Sequence, residues 1–211
     1  MAKKQLSHTE RVLNIWAIVL IIWSIYRVNF KTDLPIWIDE FVAKPLIFIL
    51  PVYFFITRIE KKKFFEGVNL LMSNARSGIL LGSGIGVLFV IFTLFWSNRV
   101  VNTENSIYYF VLSIATSFSE EILAFGFVLK RLLDDSKNYF TAVFFASILF
   151  FITHLPKFFS TDTLTGELLL RLLVLDFCLG MILSTIFVFR KNLWLTISIH
   201  TFYLFTIYLF I

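Results

Sequence analysis

The sequence predicts an all-α fold, a polytopic transmembrane helical bundle of about seven spans. Three observations predict it. Of 211 residues, 58% are hydrophobic, and the mean hydropathy is +0.84, well above the balance of a soluble domain. Apolar segments long enough to cross a hydrocarbon core about 30 Å thick recur along the whole length. The basic residues fall mostly between those segments, with a bias toward one side. No polar stretch is long enough to form a soluble domain, so residues 1–211 read as a single membrane-embedded domain.

The spans are expected at 12–26, 41–57, 78–97, 107–129, 139–155, 168–189 and 193–211. The first follows a polar, net basic tail, M-A-K-K-Q-L-S-H-T-E-R. No small-x-small cleavage pattern follows its apolar run, which ends in Ile25, Tyr26 and Arg27, so it reads as a retained span rather than a signal peptide. The second contains Lys44, Pro45 and Pro51, which predicts a kinked or partly re-entrant segment. Residues 64–76 are too short and polar to span, and read as an interfacial amphipathic helix or a plain loop. The third span holds Gly78, Gly82, Gly84 and Gly86. Small residues at this spacing predict close helix packing; a phosphate loop would need a lysine that the run lacks. The single cysteine, Cys178, lies in an apolar run and reads as a small buried core residue.

With the N-terminus in the cytoplasm and loops assigned alternately, thirteen basic residues fall inside: Lys3, Lys4, Arg11, Arg58, Lys61, Lys62, Lys63, Arg76, Lys130, Arg131, Lys137, Arg190 and Lys191. Six fall outside: Arg27, Lys31, Lys44, Arg99, Lys157 and Arg171. The asymmetry follows the positive-inside rule. The net charge of +5 therefore points to loops that set topology and touch anionic headgroups, and not to nucleic acid. The partner expected from this pattern is the lipid bilayer.

The fourth span carries Glu120 and Glu121 side by side. A charged group at a helix centre costs roughly 2.5–3.5 kcal/mol on insertion scales, so the pair should face a polar interior and reads as a functional site. Ser113, Thr116, Ser117, Glu120 and Ala124 recur at three- and four-residue steps, which places Glu120 on a stripe of small and hydroxylated residues. Glu121 points about 100° away. His154, Asp176 and His200 are the other ionisable residues of the C-terminal spans. Asp176 is expected to pair or to face the cavity, with Arg171 off its helical face. On straight, upright helices Glu120, His200 and His154 lie roughly 15, 9 and 22 Å above the cytoplasmic boundary. That spread is large for direct contact unless helices tilt or extend. A carboxylate near an imidazole can activate water for hydrolysis, and a second histidine can donate to an oxyanion. Two histidines and a carboxylate are also a catalytic zinc ligand set.

The order of these features resembles a known family. S-E-E-I-L-A-F-G at 119–126 looks like the first motif of the CAAX-protease and bacteriocin-processing (CPBP, or Abi) intramembrane proteases. F-F-I-T-H at 150–154 matches their second motif, Phe-x-x-x-His. Residues 179–200, with Asn-Leu-Trp at 192–194 and His200, look like the third region. The resemblance lies within about 110–211. It implies a glutamate-dependent endopeptidase acting on a membrane-associated peptide or protein, with no cofactor. Glu120 would be the base activating water, helped by His154; Glu121 would support the site, and His200 would help form the oxyanion site. Zinc is not favoured by the resemblance. Two positions depart from the family pattern: its arginine falls on Phe125, and its asparagine or aspartate falls on Leu204. The alternative readings are a non-catalytic bacteriocin-immunity or regulatory membrane protein on the same fold, and a small transporter using the same groups as a relay.

Overall fold

Where no water reaches the backbone, each amide must be satisfied within its own segment, and the helix does this. The computed structural model describes residues 7–30, 34–97, 101, 103–136, 138–159 and 166–210, with side chains except at 157–159, 167–169 and 171–172. The helices are α1 His8–Phe30, α2 Ile36–Ile59, α3 Met72–Trp96, α4 Ser106–Asp135, α5 Tyr139–Phe159, α6 Gly166–Arg190 and α7 Leu193–Leu209. Among the described residues six helices are long and apolar enough to cross a membrane, and α7 is a shorter apolar helix. The chain is a multi-pass membrane protein. Of the expected basic loop residues, Lys3, Lys4, Lys31, Arg99 and Lys137 lie outside the described residues, as do the side chains of Lys157 and Arg171.

The central helix is α4. It is 78% buried across its apolar window, whereas the other five membrane-length helices are 17% to 33% buried. The expected stripe Ser113, Thr116, Ser117, Glu120 and Ala124 is buried throughout. α7 packs on α3 and α4, and α5 packs on α6. α2 is one continuous helix rather than a re-entrant segment. Prolines 45 and 51 lack the N–H that an α turn needs, and they sit in a helix whose turns widen to π geometry at Asp39–Ala43, Pro45–Ile49 and Phe55–Ile59. α4 widens in the same way at Ile122–Leu129, immediately after the two glutamates.

Glycines hold α3 against α7. A Cβ at Gly78 would lie 2.6 Å from Asn192, at Gly82 2.6 Å from the Leu195 carbonyl, and at Gly86 2.5 Å from Phe202. Gly84 departs from the expectation: a Cβ there meets nothing within 4 Å, because it sits two residues off the stripe. Cys178 also departs from its expected burial and is exposed. α6 turns Asp176, Leu179, Gly180 and Leu183 inward, and its outer face needs only to be apolar.

The segment expected as an interfacial helix or a plain loop is a single helical turn, Phe64–Gly67, and a short connection to the 3₁₀ turn, Met72–Asn74, that opens α3. It is latched to α4 by residues that the sequence assigned to loops. Arg131 is buried; its Nε and Nη2 donate to the two Glu60 oxygens at 2.9 and 2.8 Å, and its Nη1 donates to the Gly67 and Gly126 carbonyls. Lys130 donates to the Glu66 carbonyl and to Asn69 Oδ1, each at 2.7 Å. Arg27, assigned to an outer loop, is likewise buried and pairs with Asp39 at 2.8 Å, while Tyr26 donates to the other Asp39 oxygen. Arg131 and Arg27 serve the interior because a carboxylate faces each of them, Glu60 just beyond α2 and Asp39 within it.

Burial alone would raise the Glu60 carboxyl. The Arg131 guanidinium bonded to both oxygens, with Lys62 and His8 nearby, outweighs that and holds it below the usual carboxylate range. A depressed native value adds stability above the unfolded carboxyl's pKa of about 4.3, and this stability is lost as pH falls through the native value. The thermal midpoint of Glu60→Gln should therefore trail the parent's near neutral pH, with the gap closing on acidification below about pH 4.3. A second thermal comparison tests the α3–α7 contact. Gly82→Ala should lose on the order of 1–3 kcal/mol by overpacking against backbone, whereas Gly84→Ala should lose nothing.

Candidate active site

Glu120 and Glu121 end the regular α-helical part of α4. Adjacent residues on a helix point about 100° apart, so the two carboxylates serve different partners. Glu121 is fully buried, and its Oε1 lies 3.0 Å from His200 Nδ1. Glu120 Oε2 faces both imidazoles, with His154 Nε2 at 3.3 Å and His200 Nε2 at 3.7 Å. The sequence count of depths along straight helices placed these groups far apart; the structure brings all four expected site residues together. The apparent helix starts used as depth markers are therefore not level, or the helices are inclined.

Each imidazole is oriented from behind. His154 Nδ1 lies 2.9 Å from the Phe150 carbonyl; a carbonyl only accepts, so Nδ1 carries a proton and donates. In the neutral ring Nε2 is then a lone pair turned toward Glu120. The buried Phe150 ring meets His154 and His200 edge-on, with centroids 4.7 and 5.6 Å away. This gives the Phe-x-x-x-His spacing a physical reason: one helical turn puts the ring beside its own histidine, and the same ring braces the second. Phe125 stacks on Phe150 at 5.4 Å. Asn192 sets α7, which carries His200. Its side chain accepts from the Trp194 amide as an N-cap and donates to the Asn74 carbonyl. Ser117 and Thr201 pair at 2.6 Å between α4 and α7.

Two participants were missed in the sequence. Lys44, placed in the second span and counted on the outer side, is 2% exposed and donates to Glu120 Oε1 at 3.0 Å and to Glu40 Oε2 at 2.5 Å. Glu40 in turn accepts from Thr116 of α4 at 2.7 Å. The signal was present: Glu40 and Lys44 stand four apart in an apolar segment, on one helical face. It was hidden because Lys44 beside Pro45 reads as a sign of a weak span. Asp176, expected to pair or to face the cavity, is buried on α6.

Glu120 Oε2 and His200 Nε2 are buried without a hydrogen-bond partner, while the His154 side chain keeps 13% exposure. The cluster therefore keeps two polar atoms uncommitted beside a histidine that is not fully closed off. Among the described residues no group of three or more His, Cys, Asp or Glu side chains has metal-holding geometry. The Lys44 ammonium on Glu120 is also a poor neighbour for a dication.

A family model described as Type II CAAX prenyl endopeptidase Rce1-like matches residues 87–206. The match spans more than half of the chain and takes in Glu120, Glu121, His154 and His200, but not Glu40 or Lys44. No curated protein and no solved structure matches the chain significantly.

Removing one member of a buried ionic pair leaves the other uncompensated, at about 3–5 kcal/mol. His200→Ala strips Glu121 of its imidazole and should destabilise on that scale. His154→Ala, at a more open position beside a Glu120 still held by Lys44, should cost clearly less. Thermal or denaturant unfolding in lipid nanodiscs measures both.

Proposed function

The chain belongs to the Rce1-like family of type II CAAX prenyl endopeptidases, and from that premise we propose that it hydrolyses a peptide bond of a membrane-associated peptide or protein with water activated by Glu120 and His154. The observation that carries the reading is the facing pair Glu120 Oε2 and His154 Nε2, 3.3 Å apart. A water bridging them gives one proton toward each acceptor and keeps a lone pair for the scissile carbonyl. As it attacks, Glu120 takes its proton. The same proton then passes to the leaving amine, which closes the cycle.

His200 is the oxyanion donor in this reading, and that role requires a proton on Nε2. The requirement is met by an imidazolium whose Nδ1–H rests on Glu121. It is also met when Glu121 holds the shared proton and gives it to Nδ1. Leu204, one turn beyond His200, supplies no second donor. The loss of one such donor elsewhere costs about 100–1,000-fold in rate, so a slow enzyme is expected. The apolar Phe125 and Leu204 favour the second reading, a non-catalytic immunity or regulatory protein on the same fold.

The whole chain acts as one membrane domain, with its N-terminus in the cytoplasm. The buried Arg131 drops from the inner basic residues, and Arg27 and Lys44 drop from the outer ones, leaving twelve against four, which strengthens the bias that supports this orientation.

The test is cleavage of membrane-anchored peptides by the protein in nanodiscs. Glu120→Gln and His154→Ala should each lower kcat by about 10²–10⁴-fold while remaining folded, and chelators should leave the parent unaffected. Loss on chelation with recovery on adding zinc would move the site to metal chemistry. No cleavage, with both variants still protective in cells, would favour the immunity reading.

A further inference from the structure

We propose that Lys44 is a positioning residue for Glu120: an ammonium carried by α2 that fixes the carboxylate through Oε1 and leaves Oε2 turned to the two imidazoles. The inference rests on the hydrolytic reading for its consequence in catalysis, but not for the contact itself.

A buried ammonium needs partners, and Glu40, four residues away on the same helix, already supplies one at 2.5 Å. Glu40 is independently fixed by the Thr116 hydroxyl at 2.7 Å. A lysine needed only to neutralise Glu40 would be satisfied there. Lys44 instead reaches across to α4 and donates to Glu120 as well, at 3.0 Å. The Trp23 ring, 5.5 Å from Nζ, walls it on the α1 side. The two Glu120 oxygens are thereby divided. Oε1 is bonded to a cation, whereas Oε2 has no hydrogen-bond partner and faces His154 and His200. A carboxylate held at one oxygen cannot swing its other oxygen out of the line between the rings. On α4 itself Phe125, one turn below the glutamates, is committed to Phe150 and offers no charge. The cation at this site comes from outside the segment 87–206 that the family model matches.

A structural counter-ion and a positioning residue differ in what happens when Glu40 is neutralised first. Three proteins are compared in nanodiscs: the parent, Glu40→Gln, and Glu40→Gln with Lys44→Met. Melting, kcat and KM are measured for each. Modification of Glu120 by an apolar carbodiimide is located by tandem mass spectrometry; the reagent needs the acid proton, which an ammonium-bound carboxylate does not offer. The proposal expects Glu40→Gln to leave Glu120 unlabelled, and the kcat of that variant is the reference for the double variant. The double variant should melt close to Glu40→Gln, lose kcat on the order of 100-fold with KM little changed, and become labelled at Glu120. A double variant that keeps both kcat and an unlabelled Glu120 would overturn it. If that variant does not fold, Lys44→Gln in the same background makes the comparison. If the parent cuts no peptide, the hydrolytic reading fails by itself and the labelling alone decides whether Lys44 holds Glu120.

Discussion

Two adjacent carboxylates buried among apolar helices are the constraint around which the bundle is arranged. Neither can stay there unless charge or hydrogen bonds reach it from other segments. α2 reaches Glu120 with Lys44, α5 with His154, and α7 reaches Glu121 with His200. Three helices distant in sequence are therefore pinned to one point on α4. What looks like scattered packing elsewhere supports that point. The glycine stripe lets α3 press on α7, the Asn192 cap sets where α7 begins, and Phe150 holds both imidazole rings.

The two glutamates are neighbours in sequence but not in environment. Glu121 is sealed and committed to one imidazole. Glu120 is divided between an ammonium on one oxygen and two rings on the other, and of those two histidines His154 has the more open side chain. The 100° step of the helix produces this difference from two identical residues. One becomes a support, and the other keeps an uncommitted oxygen where a reacting group can come.

Much of this was legible in the sequence, and the rest failed for definable reasons. Glu120, Glu121, His154 and His200 stood out because ionisable groups are conspicuous in apolar segments, and helical periodicity placed Glu120 on its buried stripe. Arg27 and Arg131 were read as loop charges, and Lys44 as an outer-side charge of a weak span, because a rule that counts basic residues by side does not ask whether a carboxylate waits on another segment. The depth count left the site undecided because residues per span convert to height only for level, upright helices. Gly84 and Cys178 were assigned by composition. Their helices, however, bury one face only, and both residues lie on the other.

The widened stretch Ile122–Leu129 constrains α4 in length as well as in composition. A π turn closes its hydrogen bond one residue later than an α turn, so it accommodates residues that a regular helix would exclude. Deleting a single residue there would let the segment rewind, and the part beyond it would turn by about 100° relative to the part before. On one side of that stretch is Glu120, held by Lys44; on the other is Arg131, held by Glu60 and by the Gly67 carbonyl. Both anchors are fixed to α2 and the turn that follows it, so a shortened α4 could satisfy one or the other but not both. Substitutions in this stretch are limited by packing, whereas insertions and deletions would break the register between the site and its latch.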